Sequence, residues 1–246
     1  MKILQFLGIQ QIGIMTSEAH HEAQYGFTAG TNFLQCSILR ETVSRYAHFN
    51  NKKTYVISTD VSMAFNKTLR WISLFNIAAN GESGQLLKFS KACYTNTNFF
   101  IKSKDTSSRV ISEEIGEAQG NLYSPGHFIQ YSLPLQNMIQ NAGVMMDFEG
   151  VKINNHVVAD DQINLAKDRI DFQVISELFQ YYQKIYKLQF GWAKTELNIY
   201  GTQDPDADAK EVMFGGHRMK LSEGYTHLGL LVTNDIKNTD SINVSL

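Results

Sequence analysis

Apolar and polar residues alternate along this chain at two periods. In TNFLQCSILRETVSRYAHF (31–49), Leu39, Val43 and Tyr46 recur at helical spacing behind the cap-type residues Thr31 and Asn32, which predicts a helix. KKTYVISTD (52–60) is rich in β-branched residues and reads as a strand whose last residue is the acidic Asp60. A helix is expected from about Lys67 to Asn80, closed by Gly81, and another through GQLLKFSKACY. Short strands follow around Asn98–Ile101 and Ser108–Ile115. The turn GEAQGNLYSPG precedes a helix-like run, HFIQYSLPLQNMIQNAG, which Pro134 is expected to kink or end. Val151 to Ala166 reads as strand, turn and strand. The clearest helix lies within DRIDFQVISELFQYYQKIYKLQF, with Val174, Ile175, Leu178, Phe179, Tyr182, Ile185 and Tyr186 on one face. Short strands near Thr195–Tyr200, Arg218–Leu221 and Tyr225–Val232 complete the chain. Helices and strands mix without a strict βαβ rhythm, so the expected class is α+β, an antiparallel sheet backed by helices.

Composition narrows the function classes. A chain of 246 residues fits one large domain or two small ones. Two cysteines, Cys36 and Cys93, lie far apart and outside C-x-x-C spacing, which argues against a disulfide framework or a zinc site and for a reducing compartment. They read as small buried hydrophobes. Gln5, Gln10 and Gln11 interrupt the apolar N-terminal stretch, which argues against a signal peptide. No apolar run is long enough for a bilayer, so the expected location is intracellular, cytoplasmic or nuclear, with no membrane partner. The net charge of −2 lacks the basic excess usual in nucleic-acid binders.

The candidate chemistry centres on carboxylates. Asp160 and Asp161 are adjacent in the turn of NNHVVADDQINLA (154–166). Two such charges at about 4 Å repel by about 4 kcal/mol at an effective dielectric near 20. If the strand ending at Asp60 neighbours this hairpin, three carboxylates meet at one sheet edge. Such a cluster persists if cations neutralise it or if the groups protonate. Oxygen-only ligands suit Mg²⁺ or Mn²⁺, and two such ions about 4 Å apart are the recurring device of phosphoryl transfer. On spacing alone, a solvated turn is the commoner explanation. The alternating Asp204, Asp206 and Asp208 lack the glycine and late glutamate of a calcium loop and read as a solvated acidic loop.

Four ordered stretches resemble the reverse transcriptase domain of non-LTR (LINE-type) retrotransposons. TDVSMAFN (59–66) is similar to the family's first catalytic block, GEAQGNLYSP (116–125) to its Gly-x-x-Gln-Gly block, and VADD (158–161) to its aromatic-Ala-Asp-Asp box. AKTELNIYG (193–201) is similar to its Lys-Thr segment. Two flanking pieces, EAQYGFTAGTN (22–32) and YTHLGLLV (225–232), agree. The resemblance implies an RNA-directed DNA polymerase whose palm spans 53–232, with finger elements inserted at about 67–115, partial fingers at 1–52 and a C-terminal tail at 233–246. It implies Asp60, Asp160 and Asp161 as ligands of two Mg²⁺ or Mn²⁺ ions and Lys194 near the pyrophosphate. The backbone from Val61 would face the triphosphate, Phe65 would exclude a ribose 2′-OH, and Gln119 and Gly120 would line the nucleotide pocket. RNA template, DNA primer and deoxynucleoside triphosphates are the implied partners.

Several positions depart from the family's pattern. Thr28 and Thr31 replace arginines, Val158 replaces an aromatic, Asn66 replaces an acidic residue and Gly191 stands where an Asn is usual. The chain reads as truncated at both ends, with the thumb missing and to be supplied by other domains or chains. These departures keep two alternatives open: a catalytically inactive nucleic-acid-binding or structural remnant, and a metal-binding protein with no polymerase role.

Overall fold

The structure is a computed structural model describing residues 22–28, 30–95, 97–118, 120–210, 212–222, 224–227, 230–233 and 243–244. The described residues form two compact units. One holds 63–133 and 186–188, and the other holds 22–62, 134–185 and the residues from 189 onward.

The second unit is built on a four-stranded antiparallel sheet. Its strands are Thr54–Thr59 (β1), Asn155–Val158 (β2), Asp161–Ala166 (β3) and Glu196–Tyr200 (β4), in the spatial order β4-β1-β3-β2. The register sets Thr59 opposite Gln162 and Val56 opposite Leu165. Helix Phe33–Phe49 (α1) places Cys36, Val43 and Ala47 against Val56, Ile163 and Leu165 on one face. On the other face, helix Arg169–Tyr186 (α2) brings Phe172 to Tyr55, with ring centroids 5.7 Å apart. Every residue of β1 is therefore buried, which is why its sequence reads as a continuous strand-forming run rather than an alternation. α1 starts where the cap residues predict. The Asn32 side chain accepts from Leu34 N, and Gln35 completes a capping box.

Several expectations change in this unit. β1 ends at Thr59, so Asp60 lies just beyond the strand. The buried stripe of α2 is Phe172, Ile175, Ser176, Phe179 and Tyr182. Ile185 is 42% exposed, because at about 100° per residue it lies roughly a third of a turn from the middle of that stripe. The acidic stretch is not an open loop but the short helix Pro205–Ala209. Asp204 caps it by accepting from Ala207 N at 2.9 Å, and Asp208 pairs with Lys53 at 2.7 Å. Where one strand is expected over 225–232, two strands, Gly224–His227 and Leu230–Thr233, pair antiparallel.

The first unit is mainly helical, with two small hairpins. Asn98–Phe99 pairs with Ile111–Ser112, and Lys102–Ser103 pairs with Thr106–Ser107. The helix expected over 67–80 is two helices, Ala64–Lys67 and Arg70–Ala79. The break has one local and one distant cause. Thr68 Oγ1 donates back to Ala64 O at 3.1 Å, and the Thr68 carbonyl accepts from Gly116 N at 2.8 Å instead of continuing a helical ladder. Pro134 does not end its helix, which runs from Ser124 to Asn141. The proline denies the Gln130 carbonyl its usual donor, and the Asn76 side-chain amide fills the gap at 3.1 Å.

Candidate metal centre at the aspartate turn

Asp60 leaves the sheet at the end where Asp161 opens β3, one step beyond the Thr59–Gln162 pair. Val158 pairs with Asp161, leaving Ala159 and Asp160 as a two-residue turn. Ala159 has φ +59°, and a left-handed first residue in such a turn usually calls for glycine. This turn is held from behind. Tyr25 N donates to Val157 O and Val157 N to Ala23 O, both at 2.7 Å. The fully buried Gln24 turns Oε1 to accept from Ala159 N at 3.0 Å and from Gly26 N at 2.8 Å. A Cβ on Gly26 would stand 2.4 Å from Ala159 N, so only glycine fits this approach. Sequence reasoning placed 22–32 as a flanking piece and gave Gln24 no role; the segment is too short for a periodicity to single it out.

Lys194 reaches the same place from the far side of α2. Gln189–Phe190 pairs with Val61–Ser62, and Gly191 N donates to Asp60 O at 2.8 Å. A single 3-10 turn, Trp192–Lys194, then brings Lys194 Nζ to Asp60 Oδ2 at 2.9 Å. Gly191 lies against the carboxylate, since a Cβ there would be 3.3 Å from Asp60 Oδ2. Trp192 anchors this turn by stacking on His217, with centroids 4.6 Å apart, and any Cβ on Gly215 would overlap its ring.

The electrostatics follow from this crowding. Burial, then the charges of Asp160 and Asp60, push Asp161 up to about 6. Asp160 is raised by burial and by Asp60. Lys194 opposes both shifts, and its own pKa is raised by the hydrogen bond to Asp60. Three carboxylates thus share one lysine, and their oxygens are the donor type that Mg²⁺ or Mn²⁺ prefers. Among the described residues, however, no three His, Cys, Asp or Glu side chains stand ready to hold a metal ion. Asp60 Oδ2 is engaged by Lys194, and carboxylates this close repel one another until cations or protons neutralise them.

Of the remaining expected site residues, Val61 belongs to the same unit as Asp60, and Phe65 and Gly120 belong to the other. Val61 is buried and pairs with Phe190 through its backbone. Phe65 belongs to the first unit, where its ring stacks on Phe128 at 5.0 Å and its carbonyl accepts from Glu117 N at 2.6 Å. Gly120 is exposed, at φ +82° with open space around it, so its backbone conformation and not crowding calls for glycine. Gln119 lies outside the described residues. Thr28 and Thr31 turn their hydroxyls to backbone carbonyls of 24–28. They line a surface pocket of about 580 Å³ together with Phe27, Asn32 and Val158. Cys36 is buried as expected, whereas Cys93 is only half-buried.

A buried network beside the GEAQG block was not foreseen. Tyr94 OH donates to Glu117 Oε1 and stands 2.7 Å from His127 Nδ1. Arg70 donates to Gly116 O at 2.7 Å and pairs with Glu113 at 2.7 Å. Burial pushes Glu117 up to about 7 and holds His127 down at about 4. Although the two lie 3.9 Å apart, the imidazole is neutral at ordinary pH and they form no ion pair.

No protein-family model and no curated protein matches the chain. Its likeness is to solved telomerase structures. Apo telomerase from Candida tropicalis matches with a TM-score of 0.68 at 10% identity, over 98% of this chain and 41% of that one. Telomerase from Candida albicans in complex with a TWJ fragment of telomeric RNA matches with 0.66 at 10% identity, over 96% and 38%. A Candida tropicalis telomerase truncated from its C-terminal domain matches with 0.61 at 13% identity, over 94% and 43%. The chain thus has a reverse-transcriptase-like polymerase fold and spans less than half the length of each of these three telomerase chains. Among the described residues, no helix is long and apolar enough to cross a membrane.

Proposed function

We propose that this chain is a reverse transcriptase domain of the non-LTR retrotransposon type, which adds deoxynucleotides to a DNA primer on an RNA template. One observation carries the reading: a polymerase fold in which Asp60, Asp160, Asp161 and Lys194 gather at one end of the sheet. Asp60, Asp160 and Asp161 would hold two Mg²⁺ or Mn²⁺ ions. When bound, such ions supply positive charge to the attacking 3′-OH and the departing pyrophosphate. Lys194 then serves as a mobile cation, released from Asp60 to meet charge developing on the leaving group. Phe65 and Gly120 take their roles from the sequence resemblance, as sugar gate and nucleotide contact.

A second reading, an inactive remnant, draws on the absence of a closed metal triad among the described residues and on the neutral Thr28 and Thr31. Primer extension on an RNA template with Mg²⁺ or Mn²⁺ separates the two. The active reading expects extension that Asp60→Ala reduces to background. It also expects a rise in thermal midpoint with either ion, which Asp160→Ala removes. Absence of extension and of any ion-dependent rise would select the remnant.

A further inference from the structure

The aspartate turn carries a backbone problem that its own residues do not solve. Its first residue is an alanine at φ +59°, a left-handed conformation that L-residues rarely adopt. Ala159 is also 7% exposed, so its N–H has little water to turn to. Gln24 supplies the missing acceptor. Its side chain is fully buried, and Oε1 receives Ala159 N at 3.0 Å and Gly26 N at 2.8 Å. The backbone on either side of Gln24 is clamped to Val157 by two bonds of 2.7 Å. Gly26 lets the whole segment close to a distance that no side chain would tolerate.

We infer that Gln24 is a positioning residue for the candidate metal centre: it fixes the left-handed Ala159 and thereby aims Asp160 and Asp161. The inference rests on the reading of those aspartates as metal ligands, but the clamp itself is a feature of the metal-free chain. Gln24 makes this contact from a segment that precedes α1, whereas the two aspartates lie on the β2–β3 hairpin. The register of one edge of the sheet is thus coupled to the direction in which two carboxylates leave it. A purely structural glutamine would add stability without discriminating among turn conformations. A positioning one becomes less necessary when the turn residue itself accepts positive φ without cost, as glycine does.

That difference sets the test, made on the full chain. Gln24→Met keeps length and volume while removing the acceptor. Mn²⁺ affinity, read by water-proton relaxation, should fall by about 10- to 100-fold, the usual effect of losing support behind a metal ligand. Adding Ala159→Gly to Gln24→Met should recover most of that loss. In metal-free protein, the Ala159 amide should exchange with solvent at least about tenfold faster in Gln24→Met than in the parent, while amides in α2 keep their protection. Equal Mn²⁺ affinity in parent and Gln24→Met would overturn the inference, as would a loss that Ala159→Gly leaves untouched. If the parent chain binds no Mn²⁺, the metal reading fails by itself, and the exchange result alone decides whether Gln24 holds the turn. Unchanged Ala159 exchange would then dismiss it.

Discussion

Phe65 has a packing role in the structure and a second, proposed role in substrate choice. The resemblance makes it a sugar gate, and the structure makes it half of a stacked pair with Phe128, at 5.0 Å and 25°. Phe128 is fully buried while Phe65 is only partly so. Phe65→Ala should therefore lower stability by about 1–3 kcal/mol, less than truncation of a wholly buried ring. The same change should raise incorporation of ribonucleotides relative to deoxynucleotides, because it removes bulk and no charge. Both are measurable in one preparation, by urea unfolding and by single-nucleotide extension at a temperature where the variant is folded. Lost stability with an unchanged sugar ratio would leave Phe65 a packing residue only.

Among the elements, the helix Ser124–Asn141 tolerates an interior proline because another helix repairs it. Asn76, on Arg70–Ala79, donates to the Gln130 carbonyl that Pro134 leaves without a partner. Asn76→Ala should cost about 1–3 kcal/mol, the penalty for a buried polar group left unpaired. Combining it with Pro134→Ala should cost less than Asn76→Ala alone, since alanine returns a backbone donor to the ladder. Unfolding midpoints of the two single variants and the double variant check this. Strict additivity would mean that Asn76 and Pro134 act independently.

For the molecule as a whole, the buried titrating groups pull stability in opposite directions. Glu117 is pushed up from 4.5 to about 7 and Asp161 from 3.8 to about 6. Their contributions are present in full at low pH and are lost as pH rises through those windows. His127 and His156 are both held down from 6.5 to about 4. Their contributions are present above pH 6.5 and are lost as pH falls toward 4. In metal-free buffer the two senses oppose each other, and Asp160, Glu82 and Glu196, also raised by burial, add to the side that falls as pH rises, so wild-type stability should not increase between about pH 4.5 and 6.5. Glu117→Gln removes one falling contribution while keeping an acceptor for Tyr94. Relative to wild type, its stability should gain on the order of 2 kcal/mol as pH rises across that window. Superimposable profiles from chemical denaturation at a series of pH values would show that Glu117 does not titrate there.

The sequence by itself determined the elements whose causes are local. The cap at Asn32, the continuous run of β1 and the alternation of α2 each act within a few residues, so each could be read directly. Motif order pointed to the fold and to four charged residues, Asp60, Asp160, Asp161 and Lys194, that lie together at one end of the sheet. The break at Thr68 and the survival of the helix through Pro134 depend on partners at Gly116 and Asn76. No local pattern specifies a contact of that kind. The capture of Asp60 by Lys194 and the clamp of Gln24 on Ala159 likewise join residues more than a hundred positions apart. Only tertiary structure could decide these, since hydrogen bonds and charges act through distance in space and sequence records only distance along the chain.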